Sequence, residues 1–249
     1  MGKIKFGYIN DGFDMFTAKD LRRIKDAKTQ CEKLIVGVHS DRYYEAKHGK
    51  PPIILCDDRM KIVSAMKGVT YTIEVDNEER LTEEQVRNLI SNQEIKETQK
   101  TEKKYNVGFV QGTFDMFHTG HYNLLVRAKE LCNTLIVGVN TDKLVEEYKN
   151  KKTIVPYEER MEIVDGVKLV DQVIGMSDRN KIKAARNIGF NALIMGSDWK
   201  GTEFYNIMQE ELEKMGIDIV YLPYTKGISS TKLRKIINKD SNGNDIEQK

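Results

Sequence analysis

The sequence predicts an α/β protein in which a parallel sheet, covered by helices on both faces, is built twice along the chain, the first copy shorter than the second. Three observations predict it. Short β-branched runs alternate with amphipathic stretches of about twelve residues, the pattern of buried strands joined by crossover helices. Residues 7–73 overlay residues 108–174 at one constant offset of 101, without a gap, and 24 of those 67 positions are identical where chance gives about four. The second copy then continues through further helix and strand patterns that the first lacks.

Taken in order, the first copy opens with an apolar run at 4–9, passes through a polar loop and a helical pattern, and reaches a β-branched run at 34–38. A helix is expected at 82–90. The stretch from Ser91 to Lys104 is nearly all polar or charged, so the first domain is set at 1–93 and a linker at 94–104. The second copy repeats the pattern with strands at 107–110 and 135–139. It goes on through a helix at 180–187, a strand at 192–195, a helix at 203–215, a strand at 217–222 and a helix at 232–237. A second domain is therefore set at 105–239, with a polar tail at 240–249.

At 249 residues the chain has room for two modest domains, each with its own core. With 39% apolar and 31% charged residues, and no apolar run near the roughly 20 that a membrane span needs, a water-soluble protein is expected. Met1-Gly2-Lys3-Ile4-Lys5 leads directly into a strand pattern without the parts of a secretory signal, so a cytoplasmic location is expected. A net charge of +2, with Lys and Arg spread along the chain, argues against nucleic acid as a partner. Cys31, Cys56 and Cys132 are too few and too scattered for a disulfide framework or a metal site, and free buried thiols are expected. Cys31 falls on Cys132, at a place between an amphipathic stretch and a buried strand that suits a small apolar residue.

The segment from Gly112 to His121, Gly-Thr-Phe-Asp-Met-Phe-His-Thr-Gly-His, sits where a parallel strand ends and a helix begins, which is where open α/β sheets bind ligands. The first-turn N–H groups of such a helix lack carbonyl partners and carry the positive end of its dipole, so they attract phosphate. Gly112 and Gly120 remove side chains where backbone must approach a polyphosphate. His118 and His121, three apart, share one side of the first turn and can stabilise charge that builds on one phosphoryl group. Farther on, Gly227 permits a tight loop, and Ser229, Ser230 and Thr231 offer hydroxyls and free N–H groups at a helix start, a second anion site.

At these residues the sequence resembles the nucleotidyltransferase family marked by GTFDxxHxGH, and within it the glycerol-3-phosphate cytidylyltransferases and related phospho-alcohol cytidylyltransferases, of Rossmann-like fold. The resemblance covers about residues 105–238, because three further segments follow in the family's order. Val155-Pro156-Tyr157-Glu158-Glu159-Arg160 looks like its YxxR helix start, Met195-Gly196-Ser197-Asp198-Trp199-Lys200-Gly201 like its GDDW segment, and Thr225-Lys226-Gly227-Ile228-Ser229-Ser230-Thr231 like its RTEGISTT signature. The resemblance implies in-line attack of a small alcohol phosphate on the α-phosphate of CTP, with Mg²⁺ and release of pyrophosphate.

Carried over residue by residue, His118, His121 and Lys151 are catalytic. Gly112, Thr113, Phe114, Asp115, Gly120, Asp142, Asp198, Trp199 and Thr225 hold the nucleotide, together with the loop of Gly227, Ile228, Ser229, Ser230 and Thr231. Lys149 and Lys181 face the acceptor. Two departures, Tyr224 where the signature often has Arg and Ser197 for the first Asp of GDDW, bear on the acceptor more than on the reaction.

At the same offset the first copy places Thr17 on His118, Lys19 on Gly120, Asp20 on His121 and Asp11 on Gly112, so its anion site is gone. It retains mostly core and turn positions, with Lys50 and Arg59 as exceptions. The expectation is a catalytically silent copy that acts as a built-in pseudo-subunit, by analogy with homodimeric relatives, or as a regulatory site; further homodimerisation is left open. Three rivals to CTP and glycerol 3-phosphate stand: ethanolamine or choline phosphate as acceptor, ATP as donor, and a non-catalytic nucleotide sensor or scaffold.

Overall fold

The repeat in the sequence is also a repeat in hydrogen-bond register. The computed structural model describes residues 3–93, 102–197, 203–223 and 227–238, and the chain divides into two units, Met1–Thr101 with Lys235–Lys249 and Glu102–Arg234. In the first unit β1 (Ile4–Asp11), α1 (Ala18–Thr29), β2 (Cys31–His39), α2 (Asp41–His48), α3 (Cys56–Ser64), β3 (Tyr71–Val75) and α4 (Glu83–Gln93) follow in order, and the strands form a parallel sheet β1-β2-β3. The second unit runs β4 (Tyr105–Gly112), α5 (Thr119–Leu131), β5 (Cys132–Asn140), α6 (Asp142–Lys149), α7 (Tyr157–Asp165), β6 (Gln172–Met176), α8 (Lys181–Ile188), β7 (Ala192–Gly196), α9 (Glu203–Lys214), β8 (Asp218–Leu222) and, as far as Arg234, α10 (Ser230–Ile237). Its parallel sheet has the order β6-β5-β4-β7-β8. Gly7 pairs with Leu34 and Ile35 with Tyr71; Gly108 pairs with Leu135 and Ile136 with Gln172, each pair displaced by the same offset.

That register explains the matched cysteines. A Cβ at Gly7 would lie 2.7 Å from Cys31 Sγ, and one at Gly108 would lie 2.7 Å from Cys132 Sγ. Glycine and a small apolar residue are thus packed face to face at the first strand pair of each unit, and all three thiols are free and buried.

The matched Phe-Asp-Met-Phe segments are held in one backbone geometry. Phe13 and Met15 have φ of 51° and 54°, and Phe114 and Met116 have φ of 55° and 50°. Left-handed non-glycine residues cost roughly 1–2 kcal/mol each, so something must hold them. The carboxylate between them does part of this: Asp14 accepts the N–H groups of Ile53 and Ile54, and Asp115 those of Ile154 and Val155. A buried arginine does the rest. Arg59 donates to the carbonyls of Ile54, Gly12 and His39 and to Asp41; Arg160 donates to those of Val155, Thr113 and Asn140 and to Asp142. Arg59, an exception by sequence, is therefore a turn residue like the others.

The units differ at the first strand. In the second unit the chain order reverses across β4, with β5 on one side and β7 on the other, which opens a crevice at the strand C-termini. In the first, β1 pairs only with β2 among the described residues. Side chains are buried on both faces of the second unit's sheet; in the cluster on one of them Phe109 stacks on Phe190 at 4.9 Å, with Leu193, Met208, Leu212 and Ile217 buried around them.

Element positions expected from the sequence recur within a few residues. α10 begins at Ser230 rather than at 232, because Ser229 is its cap: the hydroxyl of Ser229 accepts from the Lys232 N–H at 3.2 Å and its carbonyl from that of Leu233. Of the expected linker, residues 94–101 lie outside the described part, and β4 begins at Tyr105.

Candidate active site

The crevice beside β4 is a cavity of about 390 Å³ lined by residues from the ends of β4, β5 and β7 and from around α5, α6 and the starts of α8 and α10. Gly112 closes β4, and a Cβ there would meet the Phe114 ring at 3.0 Å, so glycine lets that ring pack against the strand end, although the first unit makes the same left-handed turn with Asp11 at the matching position. The turn delivers His118 as the N-cap of α5. Its Nδ1 accepts the Gly120 N–H at 3.1 Å, which places the proton of the neutral ring on Nε2, 3.3 Å from Ser230 Oγ. Ser230 Oγ in turn donates to the Asp115 carbonyl at 2.9 Å. A Cβ on residue 120 would lie 2.8 Å from His118 Cε1, so glycine there leaves space for the ring against the helix start.

His121 stacks on His118 with ring centroids 3.9 Å apart and planes inclined at 17°. Burial pushes His118 down to about 4; burial, then the neighbouring His118 and Lys149, push His121 well below the ordinary histidine range. Both rings are therefore neutral near pH 7 and act as N–H donors rather than as fixed charges. His121 Nδ1 is buried without a hydrogen-bond partner among the described residues, as expected of a group whose partner is a ligand.

The wall continues from Thr113, whose hydroxyl takes a hydrogen bond from Lys149 Nζ at 3.0 Å and lies 3.2 Å from the Tyr148 hydroxyl. Tyr148 accepts from Asn140 at 3.2 Å, and Asn140 accepts from Gln111 Nε2 at 2.7 Å. Gln111 Oε1 then takes the ammonium of Lys181. One line of polar groups thus crosses the strand ends from α6 to α8.

Of the residues singled out from sequence, His118, His121, Gly112, Thr113, Phe114 and Gly120 line this cavity. So do Lys149, Lys151, Lys181, Ile228, Ser229, Ser230 and Thr231. Asp115 and Asp142 do not. The Asp115 carboxylate holds the N–H groups of Ile154 and Val155 and Arg234 at 3.0 Å, and Asp142 holds Arg160, the Thr153 hydroxyl and the Tyr157 N–H. Both carboxylates shape the loops beneath the cavity. Gly227, with φ of 103°, is outside the lining and turns the chain into the serine loop. Asp198, Trp199 and Thr225 lie outside the described residues. Gln111, Asn140, Tyr148 and Arg179 line the cavity without having been singled out. For Gln111 and Asn140 a signal existed: a polar side chain at the last turns of an otherwise apolar strand. For Arg179 and Tyr148 none did.

In the first unit the same helix start is closed on itself. Thr17 and Asp20 form a reciprocal capping box, the carboxylate of Asp20 taking the Thr17 N–H at 2.8 Å, and Asp11 pairs with Arg23. The groups that would meet an anion are occupied by the protein's own carboxylate.

Against known proteins, the sequence model of a family described as cytidylyltransferase-like matches the chain twice, over residues 11–108 and 109–236. The glycerol-3-phosphate cytidylyltransferase of Bacillus spizizenii is 39% identical over 125 residues, which cover 50% of this chain and 91% of that protein. That of Staphylococcus aureus is 33% identical over 125 residues, 50% of this chain and 89% of that protein. The FAD synthase of Thermococcus kodakarensis is 34% identical over 142 residues, 55% and 92% respectively. No described helix is long and apolar enough to cross a membrane.

Proposed function

The chain belongs to the cytidylyltransferase-like family and is a nucleotidyltransferase, and from that premise we propose that it transfers CMP from CTP to glycerol 3-phosphate. A phosphate oxygen of the acceptor attacks the α-phosphorus, the bond from that phosphorus to the bridging oxygen breaks, and pyrophosphate leaves; no bond to the protein forms. The observation that carries this reading is the meeting of two neutral stacked imidazoles with the Ser229–Thr231 helix start in one cavity. His118 Nε2–H and His121 donate to the α-phosphoryl oxygens as charge builds on them. The N-terminus of α5 and the ammonium groups of Lys149 and Lys151 take the remaining phosphate charge.

Magnesium belongs to this reading only as an ion carried by the triphosphate. Among the described lining residues there is no carboxylate, so the wall does not fit a protein-held magnesium site, and no step is assigned to the ion. The first unit, with its capping box in place of the histidines, is proposed to be silent in turnover.

ATP is the second reading, favoured by the likeness to a protein named FAD synthase and by the fact that histidines and helix starts read phosphates rather than bases. Pyrophosphate release with CTP and with ATP, across glycerol 3-phosphate, ethanolamine phosphate and choline phosphate, decides between them. Absence of turnover with CTP removes the proposal. His118→Ala should lower turnover by roughly 10²–10³-fold.

A further inference from the structure

His39 is the last residue of β2 in the first unit, and its side chain is fully buried. Neither ring nitrogen has a hydrogen-bond partner among the described residues. Burial, and then the charge of Lys47, push its pKa down while Glu78 and Asp11 pull the other way, so near pH 7 the ring is neutral, with one N–H to donate and one lone pair to fill. A buried polar group in that state calls for a partner.

The nearest acceptor shows why His39 goes short. Glu78, in the loop between β3 and α4, turns one carboxylate oxygen toward three donors. Its Oε1 accepts from the Lys47 ammonium and from the Tyr43 hydroxyl at 3.2 Å, and lies 3.7 Å from His39 Nε2, too far for a hydrogen bond. The loop is tied down beside this contact, where the Ser40 hydroxyl donates to Asp76 at 2.6 Å and Arg42 pairs with Asp76 at 3.3 Å. The Tyr43 ring stands edge-on to the imidazole with centroids 4.8 Å apart, and from β1 the Asn10 amide donates to the Tyr8 hydroxyl at 3.1 Å. Two other carboxylates of this unit are engaged elsewhere, Asp11 by Arg23 and Asp41 by Arg59. The Glu78 side chain is 52% exposed, so it can swing into water at little cost.

We propose that His39, Tyr43 and Lys47 form an anion site in the first unit, that the Glu78 carboxylate is its internal occupant, and that its external ligand is a phosphate group, free or as a small monoester. A phosphate carries three terminal oxygens and up to two charges, so it can give Lys47, Tyr43 and His39 one oxygen each where the carboxylate gives all three the same one. The donors are peculiar to this unit. At the offset of 101, His39 stands on Asn140, Lys47 on Tyr148 and Glu78 on Arg179, so none of the three repeats the group found in the second unit's wall. The first unit also lacks a counterpart to the serine loop of α10, and the site therefore binds its ligand without turning it over. The inference goes beyond the proposed reaction and does not rest on it.

The test uses the full chain and follows the imidazole resonances of its four histidines by NMR at pH 7.5, with His39→Gln assigning the His39 signals. Inorganic phosphate is titrated first, against sodium chloride at matched ionic strength. The His39 signals of the wild type are expected to move with phosphate and not with chloride. Glu78→Ala removes the internal competitor and should lower the half-saturating phosphate concentration at least tenfold. Adding Lys47→Met to Glu78→Ala should raise it again at least tenfold. Glu78 and Lys47 are both about half exposed, and the wild-type titration tests the site without any substitution. Glycerol 3-phosphate is titrated next: a half-point equal to that of inorganic phosphate assigns free phosphate as the ligand, and a lower one assigns a monoester whose alcohol part adds contacts. His39 signals that stay fixed with both phosphates in Glu78→Ala, that move as far with chloride, or that respond unchanged when Lys47→Met is added overturn the site. The His118 and His121 signals report the second unit separately, so a failure of CTP turnover leaves this readout intact.

Discussion

Replacing Arg160 by Met tests whether the arginine of the Tyr157–Arg160 segment builds the site or binds within it. Its guanidinium is fully buried and donates to Val155 O at 3.0 Å, to Asn140 O at 2.8 Å, to Asp142 Oδ1 at 2.6 Å and also to Thr113 O. Met keeps the apolar stem and removes every donor. The Asp142 side chain is 49% exposed, so water can take over most of that partnership, and little is assigned to the ion pair. The three carbonyls are left needing donors under a loop that holds Phe114 and Met116 in left-handed conformations, and each lost buried bond costs roughly 1–2 kcal/mol. The sum is about 3–6 kcal/mol, or a fall in Tm of roughly 10 °C or more for a unit of this size. Thermal unfolding and urea titration measure it. Arg59→Met, which removes the matching clamp in the first unit, should cost a similar amount without altering the CTP site. If Arg160→Met melts within about 2 °C of the wild type and loses only nucleotide affinity, the clamp argument is wrong.

Gly120→Ala should lower turnover at least tenfold while Tm holds or rises, because the new Cβ displaces the His118 ring whereas alanine is the better helix former by about 1 kcal/mol; unchanged kcat would refute the ring's placement. Thr17→Ala breaks the capping box and should cost about 1 kcal/mol in urea titration with no change in turnover, whereas an altered KM for CTP would give the first unit a role in binding. His118 is depressed to about 4 from an unfolded value near 6.5, so it contributes stability above pH 6.5 that is lost as pH falls toward 4. Unfolding free energy should therefore drop between pH 7 and 4.5 by up to about 3 kcal/mol more in the wild type than in His118→Gln; parallel pH curves for the two proteins would contradict it.

Much of this protein was legible before folding was considered. A repeat without gaps fixes two units of one architecture, since equal spacing of strands and turns yields equal register, as Gly7 with Leu34 and Gly108 with Leu135 demonstrate. The histidines could be read because a strand end followed by glycine and a helix start has few other uses. Backbone periodicity and spacing are local properties, and local properties survive in a linear string.

The tertiary structure decided which of the matched residues face the cavity and which support it. Asp115 and Arg160 look in sequence like parts of a nucleotide motif, yet both tie down loops, because their partners are backbone groups some 39–47 residues away. Arg179 and Tyr148 are ordinary surface residue types until the pairing of β6 with β5 brings α6 and the β6 end together beside the crevice. Among the described residues no carboxylate lies at ion-pair distance from Lys181, because Asp178, three residues away, turns to Lys183. Burial and pairing depend on contacts between distant segments, and that is why the sequence names the chemistry of this cavity while only the folded chain assigns its electrostatics.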